Sequence, residues 1–72
     1  NMYPTLNAEI ARLGMSKKTF SKKCDIPYST FLNKINGDAP FTFNECIRVK
    51  KALNTNLTVE EIFLKNNTIF NV

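Results

Sequence analysis

Apolar residues recur at helical spacing in five short runs, and brief polar or Gly/Pro breaks separate them. The first run predicts a helix from about Thr5 to Leu13, with Leu6, Ile10 and Leu13 on one face and Gly14 as its stop. Ser16 reads as the N-cap of a second helix through Lys23 or Cys24. Phe20 and Cys24 would face inward there, and Lys17, Lys18, Lys22 and Lys23 outward. A third helix starts near Pro27, a residue suited to a first helical turn, and ends at Asn36-Gly37. Two capping boxes follow: Thr42 with Glu45 opens a helix to about Leu53, and Thr58 with Glu61 opens another to about Lys65. Cys46, Ile47, Val49 and Leu53 form the expected inner face of the fourth helix, and Val59, Ile62 and Phe63 that of the fifth. The end, "NNTIFNV", alternates weakly and carries Ile69, Phe70 and Val72. The pattern as a whole predicts an all-α, compact bundle of five short helices, with no strand before the last few residues.

Length limits what such a bundle can bury. A chain of 72 residues is one domain with a thin core, so a partner subunit is expected. Ten Lys and Arg against six acids give a net charge of +4 and a pI near 9.3, which favours polyanionic partners. Cys24 and Cys46 lack metal-ligand spacing and the chain has no His, so both are expected to be reduced core residues, with no metal and no cofactor. The same absence of His, of a Gly-rich phosphate loop and of a convincing carboxylate pair leaves no catalytic residues to nominate, so an enzyme acting on a small-molecule substrate is not expected. No run approaches the ~20 apolar residues of a membrane span and no signal-peptide pattern precedes the domain, so a cytoplasmic location is expected. Asn1 ahead of Met2 reads as a cloning remnant.

The third helix, within "DIPYSTFLNKING", carries the candidate chemistry. On a 100° wheel Tyr28, Phe31, Leu32 and Ile35 share one arc, and Ser29, Thr30, Asn33, Lys34 and Asn36 the other. That wet arc contains no acid. Short hydrogen-bonding side chains with a Lys and no carboxylate suit a surface that approaches phosphates and base edges, with an ordinary solvated face as the competing reading. Only "CDIP" joins helices two and three, and Ser21 supplies a small residue where they would cross.

These residues resemble a known family, the helix-turn-helix domains of phage Cro proteins and lambda-type repressors. "MSKKTFSKKCDIPYSTFLNKING" is similar to its motif from the first helix to the Gly after the recognition helix, and "FTFNECIRVKKAL" to its next core helix. "MYPTLNAEIARLG" resembles the first helix of small phage regulators of Gram-positive bacteria. The resemblance implies a lambda-repressor-like DNA-binding domain over residues 2–66, with the helix-turn-helix at helices two and three, a 67–72 tail, and transcriptional repression. By that resemblance Tyr28, Ser29 and Asn33 would contact bases, and Lys17 and Asn36 the DNA backbone. Lys18, Thr30 and Lys34 join the backbone contacts on charge and position. Where many relatives have a core Leu this chain has Lys34, with Ile35 following, which implies a helix rotated to bring Thr30 and Lys34 toward DNA and Tyr28 partly inward. Asp38 stands where relatives have Lys or Arg and weakens the phosphate grip there. Phe63, Leu64, Ile69 and Phe70 exceed what a small core absorbs and are the expected homodimer or partner contacts, one version being a "TIFNV" strand paired across a two-fold axis. The alternative is a protein-interaction module of antitoxin or antirepressor type on the same scaffold, with RNA binding ranked lower.

Overall fold

A computed structural model describes residues 2–65. Five helices run in chain order: α1 (Pro4–Arg12), α2 (Lys17–Lys23), α3 (Tyr28–Ile35), α4 (Phe43–Leu53) and α5 (Val59–Ile62). No strand occurs among the described residues, so the all-α bundle is as the apolar spacing implied; the suggested tail strand lies outside them. No helix among the described residues is long and apolar enough to cross a membrane.

The start signals act as their chemistry requires. Ser16 Oγ accepts a hydrogen bond from the Thr19 amide at 3.1 Å. Both capping boxes are closed: Thr42 and Glu45 exchange bonds of 3.2 and 2.9 Å, and Thr58 and Glu61 bonds of 3.2 and 2.8 Å. Boundaries shift in three helices. Helix α1 begins at Pro4, where a missing N–H leaves nothing unsatisfied, and ends at Arg12. Pro27 caps α3 instead of opening it. Helix α5 stops three residues before the expected Lys65, because Phe63 leaves helical geometry (φ −101°, ψ 18°) and packs its ring edge-on against Tyr3 and Phe41.

The core is built from Leu6, Phe20, Phe31, Val49, Leu53 and Ile62, all without solvent exposure, together with Tyr3, Ile10, Cys24, Ile26, Ile35 and Ala52. Aromatic rings thread it continuously: Phe20 to Phe31 at 5.8 Å, Phe31 to Phe41 at 6.0 Å and Phe41 to Phe63 at 4.9 Å. Helix α4 is turned from its expected register. Its inner face is Glu45, Val49, Ala52 and Leu53, while Cys46 and Ile47 are half-buried on its flank. Glu45 and Ala52 lie at i−4 and i+3 from Val49 and therefore share its face. Cys24 is buried, Cys46 half-buried, and both are free thiols. Burial pushes Cys24 up to about 11, against the lowering charges of Arg48 and Lys23.

Candidate nucleic-acid interface

Helices α2 and α3 are joined by a turn that the sequence closes in a particular way. The Asp25 amide donates to Lys22 O at 3.1 Å, and the Ile26 amide donates to Ser21 O at 3.0 Å. This pair of bonds, with Asp25 at φ 61°, is a Schellman closure in which Asp takes the left-handed place usually given to Gly. Ile26 is buried behind the turn. Ser21 is fully buried too, and its hydroxyl donates to Lys18 O at 2.8 Å, so the polar group expected at the tight crossing is satisfied. Arg48 reaches across from α4: its Nη1 donates to Asp25 O at 2.9 Å and lies 3.4 Å from Cys24 O. The guanidinium therefore fastens the turn from outside.

Helix α3 ends in a second closure of the same kind. Gly37 at φ 90° donates to Lys34 O at 3.1 Å, and the Asp38 amide donates to Asn33 O at 2.8 Å. A Cβ on Gly37 would sit 2.6 Å from Met2 Cε, the movable end of a flexible side chain, so it is the positive φ that calls for glycine there.

Between these turns α3 buries Phe31 and Ile35 and leaves Ser29, Asn33 and Asn36 exposed, with Tyr28 at 39%. Tyr28 stands at the N-terminal end of the helix, partly exposed and partly turned against it. Thr30 is half-buried on the flank. Lys18, Lys22 and Lys23 of α2 are exposed and Lys17 is half-buried. From Ser16 to Gly37 the sequence has one acid, Asp25, beside five lysines.

Lys34 is the main correction. Instead of facing outward, its Nζ meets Glu45 Oε1 at 2.5 Å, and the two side chains are only 14% and 11% exposed. The same Glu45 oxygen accepts the Thr42 amide of the capping box at 2.9 Å. Although burial pushes the Glu45 carboxyl up, the hydrogen bonds from Lys34 and Thr42 and the lysine charge hold it below its ordinary value. Ile35 is buried, as the shifted apolar position implied, whereas Lys34 is drawn to α4 and not toward the exposed face.

No family model, curated protein or solved structure matches the chain.

The expected partner contacts separate. Phe63, half-buried, packs against the core through Tyr3 and Phe41, as its place on the inner face of the fifth helix implied, and so is drawn away from the expected partner surface. Leu64 is 57% exposed, and Ile69 and Phe70 lie outside the described residues. Three features went unread in the sequence. Arg48 gives no local signal, since its partners are carbonyls more than twenty residues away. Glu45 was legible as a cap but not as an ion-pair partner, and Phe43, 74% exposed at the start of α4, looks like any core aromatic in a helical run.

Proposed function

We propose that the chain is a sequence-specific, double-stranded DNA-binding transcriptional regulator of repressor type, in which α2 and α3 act as a helix-turn-helix and α3 enters the major groove. One observation carries this reading: the outer face of α3 presents Tyr28, Ser29, Asn33 and Asn36 without a carboxylate, beside the exposed lysines of α2. An Asn side chain pairs bidentately with adenine, a Ser hydroxyl donates to several acceptors, and a tyrosine ring rests on a thymine methyl. Each good bidentate pair discriminates by about 1 to 3 kcal/mol. Lys17, Lys18 and Asn36 supply backbone contacts, with Thr30 at the flank; Lys34 leaves that set because Glu45 already holds it.

So few base contacts give weak specificity alone. A homodimer would present two α3 helices about 34 Å apart to a palindromic site, with Leu64 and the following residues as its seam. A protein-interaction module is the second reading, favoured by the exposure of Phe43 and Leu64 at 74% and 57%.

Polarisation titration of a random-sequence duplex at several salt concentrations, with single-stranded RNA as control, tests the proposal. Micromolar binding to duplex with a steep negative salt slope is expected. Lys18→Ala should flatten that slope by about 0.9, and Asn33→Ala should relax preference at one base position while leaving the slope alone. Absence of duplex binding at low salt would favour the protein-interaction module.

A further inference from the structure

Removing Lys34 from the phosphate contacts leaves a half-buried cation on α3 itself without an assigned role. Helix α3 has eight residues and is held inside by Phe31 and Ile35, whose apolar contacts resist separation but have little directional preference. Lys34 stands about 60° round the helix from Phe31, on the side facing α4. Its ammonium ends on a carboxylate that is itself pinned, since Glu45 Oε1 also accepts the Thr42 amide in the first turn of α4. The bond is thus a directional tie between the C-terminal half of α3 and a fixed point on α4.

We propose that the Lys34–Glu45 pair positions α3 for base recognition, so that Lys34 governs sequence selectivity without touching DNA. The inference rests on the DNA-binding reading. Its leverage is geometric: a rotation of about 20° moves side-chain tips ~6 Å from the axis by roughly 2 Å, whereas recognition geometry tolerates about 0.5 Å. With side chains only 14% and 11% exposed, the pair is shielded from salt that screens surface lysines. The alignment of Ser29 and Asn33 therefore persists where phosphate contacts weaken.

The test compares the parent with Lys34→Met/Glu45→Gln, which removes both charges at similar size, and with Lys34→Arg, which keeps the cation. Three readouts are taken: α3 amide chemical shifts in the DNA-free protein, the salt slope on random duplex, and the ratio of Kd on random duplex to Kd on a duplex selected by the parent. The double variant should shift the Ser29 and Asn33 amides, leave the salt slope unchanged and lower the ratio at least tenfold; Lys34→Arg should recover most of it. A slope reduced by about 0.9 per protomer would mean that Lys34 touches phosphate and would overturn the proposal. An unchanged ratio would also overturn it, reducing the pair to a structural tie. Should the double variant not fold, Glu45→Asp keeps both charges and shortens the arm by one methylene; about a threefold loss of ratio supports positioning and no loss refutes it. A parent that selects no duplex defeats the DNA-binding reading itself, and the positioning role with it, which separates that failure from an unchanged ratio in a selective parent.

Discussion

At Asp25 the backbone takes φ 61°, a conformation that costs a non-glycine residue roughly 1 kcal/mol. Asp25→Gly should therefore stabilise the domain by about 0.5 to 1 kcal/mol despite glycine's greater unfolded freedom, and by removing the one acid between Ser16 and Gly37 it should also tighten duplex binding. Thermal denaturation and the duplex titration check the two effects separately. Gly37→Ala should do the reverse: φ 90° opposes any side chain, so a loss of about 1 to 2 kcal/mol is expected in urea denaturation. Glu45 adds a pH dependence whose direction follows from its lowered folded value. A depressed carboxylate contributes stability above its unfolded value of about 4.3, and that contribution is lost as pH falls through the folded value. Urea midpoints should fall as pH drops below the unfolded value of about 4.3, and Glu45→Gln should make that fall shallower. Gly14 and Gly37 were legible as helix stops because glycine is the common left-handed residue. The left-handed Asp25 and the partner of Lys34, eleven positions away at Glu45, were not, since neither leaves a local pattern.

None of the five helices exceeds eleven residues, and isolated helices of that length are marginal in water, so caps and packing decide whether each forms. That is why element order was readable: the capping boxes and the Ser16 cap are local chemistry in the sequence. Register was less readable. On α4 the apolar positions Cys46, Ile47, Val49 and Leu53 do not lie on one clean stripe, and the face chosen takes in Glu45 because Lys34 neutralises it. The end of α5 depended on Phe63 joining Tyr3 and Phe41, a contact spanning nearly the whole described chain. Thr58→Ala should cost about 1 kcal/mol by opening the α5 cap, read as a melting temperature lowered by about 4–8 °C. Amide exchange should show the loss concentrated at the Glu61 amide, which the Thr58 hydroxyl now satisfies.

Across the whole molecule, one ring sequence from Phe20 through Phe31 and Phe41 to Phe63 ties α2 and α3 to the residue that ends α5. The α2–α3 surface and the core are accordingly one cooperative unit, and unfolding should follow a single transition by every probe. Both thiols are pushed up chiefly by burial, so alkylation at neutral pH should be slow in the folded protein and accelerate sharply with denaturant. The acid-poor α2–α3 surface was legible in the sequence because charge needs no tertiary contact to be counted. Its alignment was not, because that depends on Arg48 and Glu45 arriving from α4. The chain has no Trp and two tyrosines, and these occupy opposite settings: Tyr3, 5% exposed, lies edge-on to Phe41 and Phe63, whereas Tyr28, 39% exposed, stands on the outer end of α3. The molecule thus carries two separate optical reporters. Acrylamide should quench Tyr28 and spare Tyr3, ligand docking on α3 should shield the first alone, and denaturant should uncover the second, so that occupancy and folding can be followed independently by intrinsic fluorescence without a label.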